Sequence, residues 1–357
     1  MNQKFNYNWN LKDAVFTKNK GKVFSCFACG GGSTMGYKLA GFDVLGCNEI
    51  DPKMIEAYKI NHNPKYAFLE PIQTFKERKD LPNELYELDI LDGSPPCSSF
   101  SMAGRRDKDW GKEKKFREGQ AEQVLDTLFF DFIDLAKELQ PKIVIAENVK
   151  GLLMGNAKEY VKKIYEEFDK AGYFVQHFLL DASTMGIPQK RERVFFIAVR
   201  KDLSFFLTKN NIFNENPRLI LNFNEPKIIF DEFYQKGIDD RPTSKEGKMY
   251  QYWINRQVGD NSFCDTIKRI EGIEKCFTNK YLYRNKVPMT YTSNGDVIYL
   301  FDEFRKPNKH ESCCIGSYPQ DYNFSNVKYS YLIGMSVPPI MTAQIATEIY
   351  NQWREIF

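Results

Sequence analysis

Cys97 follows two prolines in the run Gly93-Ser94-Pro95-Pro96-Cys97, just after a hydrophobic stretch. Each proline fixes its own φ and biases the residue before it towards an extended backbone. This order predicts a cysteine displayed at the end of a strand after a stiff turn. A thiolate held in that way can act as a covalent nucleophile. The alternative is a small core residue, since free cysteines are among the most buried side chains.

A glycine-rich turn near the N-terminus could bind a nucleotide-like ligand. A β-like run, Lys22–Phe27, leads into Ala28-Cys29-Gly30-Gly31-Gly32 and then a helix with Ser33 as N-cap and Gly41 as stop. A second predicted strand, Phe42–Cys47, is followed by Glu49, which lies about 20 residues after the turn in sequence. An acidic residue at this position can hold ribose hydroxyls in dinucleotide-type folds. The alternative is an ordinary strand-to-helix turn with a capping carboxylate.

The elements that must position these residues alternate between strand and helix. Asp51-Pro52 predicts a helix start, because aspartate caps helices and proline suits the first turn. Further strands are predicted at Tyr66–Leu69, Leu88–Leu91, Ile143–Ala146, Tyr173–Leu180 and Val194–Val199, and helices at Glu122–Leu139 and around Tyr160–Phe168. This alternation predicts an α/β fold whose ligands lie at the carboxyl ends of the strands.

The segment Gly93–Ser101 resembles the Pro-Cys nucleophile motif of the cytosine-5 DNA methyltransferases. Other segments match motifs of that family in the expected order from about Lys22 to Pro339. They are Glu147-Asn148-Val149, the Gln-x-Arg-x-Arg run from Gln189 to Arg193, a degenerate ninth motif at His310–Pro319, and a closing motif at Tyr331–Pro339. Order and spacing together make the resemblance specific.

The resemblance implies a Rossmann-like sheet of the S-adenosylmethionine-dependent methyltransferases, with an inserted smaller target-recognition domain. It implies catalytic roles for Cys97, Glu147, Arg191 and Arg193. It implies cofactor contacts from Phe27 against the adenine, from Glu49 on the ribose, and from Gly30, Gly31, Gly32, Ile50, Glu70, Pro96 and Ser336. Ser101, Arg105, Arg106 and Gln189 are the predicted nucleic-acid contacts.

The loop after Cys97 is basic, with Arg105, Arg106 and Arg117 among its charges. A charge run is more often a solvated face. Beside a nucleophile, however, a long basic loop could close over a DNA backbone and screen the reaction from water. We therefore predict that this loop contacts DNA.

The resemblance divides the chain into a catalytic cofactor-binding domain at 1–200, a target-recognition region at 201–309 and a C-terminal segment at 310–357 that returns to the catalytic domain. The middle region mixes basic residues with tyrosines and a tryptophan, which suits nucleic acid without specifying a sequence. Its content is otherwise not readable from one sequence.

The composition fits a soluble, cytoplasmic protein. Among 357 residues, 42% are hydrophobic and 27% charged, the formal net charge is +3, and no signal-peptide or membrane-spanning stretch occurs. Eight cysteines without an export signal predict thiols rather than disulfides. The spacing of Cys26 and Cys29 is that of half a zinc site, but no second pair accompanies it, so no metal is predicted.

The chain departs from the family pattern at four positions. Cys29 replaces the first glycine of the turn, Ser25 an aspartate, Ser98 a glutamine and Met335 an asparagine. The implied reaction is methyl transfer from S-adenosylmethionine to C5 of a flipped-out cytosine in a specific sequence of double-stranded DNA. A cognate restriction endonuclease is a further implied partner, and no membrane is. Two alternatives stay open, a tRNA cytosine-5 methyltransferase and a non-catalytic DNA-binding relative.

Overall fold

Strands and helices alternate as the sequence predicted, and the α/β fold class is confirmed. The computed structural model describes residues 3–96, 113–114, 123–124, 127–154, 157–208, 217–274 and 279–357. Contacts divide the chain into two units. The sheet unit comprises Ala14–Asp181, Glu192–Phe223 and Pro339–Phe357, and the second unit comprises Met1–Asp13, Ala182–Arg191 and Asn224–Pro338.

The sheet unit is built on a seven-stranded sheet. The strands of the described residues are β1 Lys22–Cys26, β2 Asp43–Glu49, β3 Tyr66–Leu69, β4 Ile90–Gly93, β5 Glu113–Lys114, β6 Gln123–Val124, β7 Ile143–Val149, β8 Tyr173–Asp181, β9 Glu192–Arg200, β10 Lys280–Leu282 and β11 Ile298–Leu300. The order in the sheet is β3-β2-β1-β4-β7-β9-β8. Neighbours from β3 to β7 are parallel, whereas β9 is antiparallel to both β7 and β8.

Two smaller strand pairs lie outside this sheet, β5 with β6 and β10 with β11. The α-helices of the described residues are α1 Gly32–Leu39, α2 Pro52–His62, α3 Ile72–Phe75, α4 Leu128–Leu139, α5 Ala157–Lys170, α6 Ser204–Thr208, α7 Lys248–Ile254, α8 Phe263–Glu271, α9 Lys309–Gly316, α10 Tyr329–Met335 and α11 Pro339–Gln352. Short 3₁₀ turns occur at Leu11–Asp13, Asn83–Glu87, Lys150–Leu153, Ala182–Thr184, Lys201–Leu203, Phe230–Glu232, Gly295–Val297 and Arg354–Ile356.

Several element boundaries differ from the predicted ones. α1 begins at Gly32, because Gly31 occupies the N-cap with a left-handed backbone, so Ser33 lies inside the helix. β7 continues to Val149, since its pairing with β9 extends that far, and Glu147 therefore lies within the strand rather than after it. α4 begins at Leu128, six residues later than the apolar period predicted.

The central strands are buried on both faces, as a parallel sheet covered by helices requires. β4 is buried along its whole length, and the first four residues of β7 are buried too. α4 packs one apolar face into this core through Phe129, Phe132 and Leu139. The core thus fixes the strands whose carboxyl ends carry the predicted site.

The second unit has its own aromatic core, which includes Tyr252, Phe263, Tyr281 and Tyr299. Contacts assign 201–223 to the sheet unit and 310–338 to the second unit. The functional boundaries predicted at 200 and 309 stay a prediction. No helix in the described part of the chain has the length and apolar character that a membrane span requires.

The C-terminal helix α11 packs on α1 within the sheet unit. At Gly36, a Cβ atom would lie 2.3 Å from the backbone oxygen of Pro339 and 2.5 Å from Cβ of Thr342. Both distances are shorter than van der Waals contact. The absence of a side chain at Gly36 is therefore what allows the two helices to approach so closely.

Gly36→Ala is expected to lower the free energy of unfolding by about 1–3 kcal/mol, because an added methyl group overpacks this contact. Gly247→Ala is the matched control, since nothing lies within 4 Å of a Cβ there. It is expected to cost less than about 1 kcal/mol. Chemical denaturation of both variants measures the difference, and equal losses would contradict the packing argument.

Candidate functional site

The carboxyl ends of β1, β2, β4 and β7 meet at one edge of the sheet. The chain order reverses between β1 and β4, because β2 and β3 lie on one side of β1 and the later strands lie on the other. A crevice forms at such a reversal in open α/β sheets, and ligands bind there. The predicted residues Phe27, Glu49, Pro96 and Glu147 all come from these strand ends or the turns that follow them.

The turn between β1 and α1 has a left-handed backbone at three positions. The φ angles are +52° at Phe27, +51° at Cys29 and +84° at Gly31. Such a φ is strained for a residue with a side chain, so Cys29 occupies a backbone conformation that favours glycine. The backbone N–H of Cys29 donates a hydrogen bond of 2.7 Å to Glu49, and this bond offsets part of the strain.

Glu49 holds the glycine turn and the start of α2 together. Its Oε2 accepts from the N–H of Cys29, and its Oε1 accepts from the N–H groups of Ile50 at 2.8 Å and Asp51 at 2.9 Å. Burial raises the pKa of the Glu49 carboxyl. Among the hydrogen bonds of the described residues, Oε2 of Glu49 accepts one, from Cys29, and Oε1 accepts two.

Asp51 caps α2 as predicted, accepting from the N–H groups of Lys53 and Met54. Glu70 lies just beyond β3 and forms an ion pair of 2.9 Å with Arg78. The backbone oxygen of Glu70 accepts from Asn48, which fastens the ends of β2 and β3 to each other. The predicted contacts of Ile50 and Glu70 with the cofactor stay predictions.

His62 supports the glycine turn, and the sequence analysis did not identify it. The Nε2 atom of the ring lies 3.3 Å from the backbone oxygen of Gly30, and a Cβ at Gly31 would lie 2.3 Å from the same nitrogen. Burial, with a smaller contribution from Lys38, lowers the pKa of His62 to about 3. The imidazole is therefore neutral at physiological pH. Only its place at the end of α2 hinted at a role.

Glu147 and Arg193 form an ion pair on adjacent strands. Arg193 Nε lies 3.0 Å from Glu147 Oε1, and the two side chains are 16% and 12% exposed. Burial lowers the pKa of Arg193, while Glu147 raises it. The residues are diagonal neighbours, because Arg193 is paired with Val149 in the β7–β9 register.

Asn148 anchors the turn that precedes Cys97, and it too was absent from the predicted site. Its Nδ2 donates a bond of 3.1 Å to the backbone oxygen of Pro95, while its Oδ1 accepts from the N–H of Val149 at 2.8 Å. The nitrogen and the oxygen of the side-chain amide each have a hydrogen-bond partner, so β7 and the Pro95-Pro96 turn are fixed to each other. Its position in the Glu-Asn-Val motif is the sequence signal from which a role at the site could have been predicted.

Arg191, Gln189 and Ser336 belong to the second unit. The guanidinium of Arg191 donates to the backbone oxygens of Tyr291, Gly334 and Ser336 at 2.8–3.2 Å. Gln189 is 1% exposed, and it donates to the backbone oxygen of Ile315 and accepts from the N–H of Tyr291. These bonds stabilise the second unit from within, and the predicted catalytic, DNA and cofactor roles stay predictions.

Arg191 and Arg193 do not lie on one extended segment, because β9 begins at Glu192. Arg191 precedes the strand and its contacts are those of the second unit, whereas Arg193 lies in the sheet unit.

Four predicted site residues, Cys97, Ser101, Arg105 and Arg106, lie outside the described residues. The sequence predictions for the nucleophile and its basic loop therefore stay predictions. Pro95 and Pro96 are described, and the chain enters this segment from the end of β4.

The thiols near the glycine turn differ in their surroundings. Cys26 is buried in β1, and burial raises the pKa of its thiol well above the usual range. Cys29 is half-buried, with its Sγ 3.6 Å from the sulfur of Met54. Within the described ranges, no group of three or more His, Cys, Asp or Glu side chains could hold a metal ion.

Known proteins resemble this chain in sequence and in fold. The family model for C-5 cytosine-specific DNA methylase matches residues 21–351. Type II methyltransferase M.FnuDI of Fusobacterium nucleatum is 37% identical over 183 residues, which cover 51% of this chain and 48% of that relative. That match spans about half the length of the relative. Type II methyltransferase M.NgoPII of Neisseria gonorrhoeae is 28% identical over 365 residues, covering 93% of this chain and 96% of the relative.

Two solved structures share the fold over nearly the whole chain. One is a prophage-encoded E. coli protein described as a DNA modification methyltransferase, with a TM-score of 0.62, 22% identity, and coverage of 93% of this chain and 99% of that one. The other is a variant of Spodoptera frugiperda DNMT2, with a TM-score of 0.59, 17% identity and the same coverage.

His62→Gln is expected to change how the free energy of unfolding depends on pH. Between about pH 6.5 and about pH 3, the unfolded chain protonates this histidine and the folded chain does not. The wild type therefore loses stability as the pH falls through this window, by up to about 1.4 kcal/mol per pH unit. Glutamine does not titrate, so the advantage of the wild type over the variant should shrink at acid pH.

Chemical denaturation of both proteins at about pH 7.5 and about pH 5 measures this difference, because the two values lie on either side of the pKa of an unfolded histidine. A difference in stability that is the same at both pH values would contradict the burial of a neutral imidazole.

Proposed function

The chain belongs to the C-5 cytosine-specific DNA methylase family, and on that premise we propose that it methylates C5 of a flipped-out cytosine through a covalent intermediate on Cys97, using S-adenosylmethionine. As a DNA cytosine-5 methyltransferase it acts on DNA and uses a methyl donor. The observation that supports the proposed covalent mechanism is the Glu147–Arg193 ion pair. Glu147 is followed in β7 by Asn148, the asparagine that anchors the Pro95-Pro96 turn. Cys97 follows that turn directly.

The reaction needs C5 of cytosine to become electron-rich. The Cys97 thiolate adds to C6, the π electrons of the C5–C6 double bond move to C5 and make it the nucleophilic atom of an enamine, and Glu147 supplies a proton to N3. Arg193 contacts Oε1 of Glu147 and restrains the orientation of the carboxyl group, and Oε2 is the oxygen that would face the base. After C5 is methylated, a base takes the C5 proton, and the C6–S bond breaks to release Cys97.

The residues at the edge of the sheet fit S-adenosylmethionine. The lone pair on Oε2 of Glu49 would accept from a ribose hydroxyl, and the ring of Phe27 would lie against the adenine. The absence of a side chain at Gly31 lets His62 and Tyr58 pack directly against the turn, because they fill the space into which a Cβ would point. When bound, this cofactor supplies an electrophilic methyl group on a sulfonium.

DNA is the substrate, and a cytosine stacked in a duplex cannot reach a buried carboxylate. The proposal therefore includes flipping of the base, at a cost of a few kcal/mol that contacts in the pocket offset. Residues 201–309 are the proposed target-recognition region, because they combine basic and aromatic side chains such as Arg284, Lys286 and Tyr283. A cognate restriction endonuclease is the proposed partner, since the relatives are type II methyltransferases.

Covalent trapping tests this function. Wild type and Cys97→Ser are mixed with S-adenosylmethionine and duplex DNA that contains 5-fluorocytosine in varied contexts, and mass spectrometry detects adducts. Fluorine blocks the final elimination, so the wild type should become attached to the DNA and Cys97→Ser should not. The trapped oligonucleotide identifies the target sequence.

A parallel reaction with tRNA containing 5-fluorocytosine distinguishes the substrates. An adduct with tRNA alone would overturn the DNA proposal in favour of tRNA methylation. Cofactor binding with no adduct on either nucleic acid would favour a non-catalytic relative.

Glu147→Gln is expected to lower the methylation rate by about 10²–10⁴-fold, because an amide accepts from Arg193 but cannot place a proton on N3. Its affinity for S-adenosylmethionine should stay unchanged in calorimetry. Glu192→Gln is the matched control, because Glu192 also forms an ion pair, with Lys150 just after β7, but that pair is exposed. It should methylate at the wild-type rate, and equal losses in the two variants would contradict the role of Glu147.

A further inference from the structure

Asp92 is a buried carboxylate to which the proposed chemistry assigns no role. Its side chain lies in β4, the strand that leads to Cys97, and the residue is 4% exposed. Its Oδ2 accepts from the Ser25 hydroxyl at 2.7 Å, and its Oδ1 accepts from the Tyr37 hydroxyl at 3.0 Å. The Ser33 hydroxyl is a third donor. A buried carboxylate whose donors are neutral hydroxyl groups is costly, so its presence calls for an explanation.

These bonds join the three elements around the crevice. Ser25 lies in β1 directly opposite Asp92 in the parallel register. Ser33 and Tyr37 lie in α1, which starts at the glycine turn. One carboxylate therefore connects the strand before the glycine turn, the helix after it and the strand that carries the nucleophile.

The residue opposite Asp92 on β1, Ser25, explains why the carboxylate can lie on β4. The family pattern has an aspartate where this chain has Ser25, and here the carboxylate comes from the opposite strand. An aspartate at both positions would bury two carboxylates against each other, which is strongly unfavourable. One carboxylate and one short hydroxyl fill the same space, whichever strand supplies each.

We propose that Asp92 is a positioning residue which supplies, from β4, the carboxylate that the family supplies from β1, and so holds the glycine turn in the form that binds S-adenosylmethionine. This inference rests on the proposed function, because it concerns the same cofactor site.

The titration of Asp92 supports this role. Burial raises its pKa to about 7, against the hydrogen bonds from Ser25 and Tyr37, which lower it. The titratable groups facing it are Cys26 on β1, Tyr37 on α1 and Glu147 on β7. A protonated Asp92 is a weaker acceptor, so affinity for the cofactor should rise as the pH increases through about 7.

An exchange of the two residues tests the proposal. Wild type, Asp92→Ser, Ser25→Asp and the double variant Ser25→Asp/Asp92→Ser are compared by calorimetry with S-adenosylmethionine and by thermal melting. Each single variant should bind the cofactor at least about tenfold more weakly, the first because hydroxyl donors lose their acceptor and the second because two carboxylates meet. The double variant should recover to within about threefold of wild type, since it restores one carboxylate and one hydroxyl.

Asp89→Ser is the matched control. Asp89 also bonds β4 to β1, through the N–H of Lys22 at 2.7 Å, but it does so just before β4 begins, at the far end of the pair from the glycine turn. It is expected to lower the melting temperature without changing the affinity for the cofactor. Asp92→Asn keeps the shape of the side chain, and its affinity should be weakened and independent of pH between about 6 and 8, where the wild type titrates.

Asp92→Ser with wild-type affinity would overturn the inference, and so would a double variant no better than the singles. If Asp92→Ser does not fold, Asp92→Asn decides, and an unchanged affinity with an unchanged pH profile overturns the inference. A wild type that binds no S-adenosylmethionine would overturn the proposed function itself, which separates that failure from a failed exchange.

Discussion

Three carboxylates, those of Glu49, Asp92 and Glu147, lie along the carboxyl edge of the parallel strands, the first two buried and the third 12% exposed, and each needs donors to replace the water that it loses. Glu49 receives backbone N–H groups, Asp92 receives hydroxyls and Glu147 receives a guanidinium. Because the donors include groups of the glycine turn, β1, α1 and β9, satisfying these carboxylates positions the glycine turn, α1 and β7. The geometry of the site depends on the solvation of these three groups.

The kind of donor decides what each carboxylate can do. Backbone N–H groups fix Glu49 in place and leave one oxygen able to accept a further bond. Hydroxyls carry no charge, so burial prevails at Asp92 and its pKa rises to about 7. The guanidinium of Arg193 brings a full positive charge to Glu147 and contacts one of its oxygens. The roles that we propose for the three carboxyl groups, in cofactor binding, positioning and proton transfer, therefore rest on three different kinds of donor.

Two arginines that are close in sequence lie in different tertiary environments. Arg191 ends a segment of the second unit and donates to three backbone oxygens there, a role that fixes chain positions far apart in sequence. Arg193, two residues later, is already in β9 and compensates a carboxylate. One short motif therefore stabilises the second unit from within and completes the ion pair of the sheet unit.

By itself the sequence determined the order of the motifs, the alternation of strands and helices, the helix cap at Asp51 and the acidic residue after β2, because all of these depend on local periodicity and residue type. Only the tertiary structure decided that His62 lies against the glycine turn, that Asn148 anchors Pro95, and that Asp92 meets Ser25 and Tyr37. His62 and Gly30 are separated by 32 positions in the sequence, and Asn148 and Pro95 by 53. Such pairs are brought together by strand register and helix packing, which no local pattern encodes, and burial is the main cause of the shifted pKa values of His62 and Asp92.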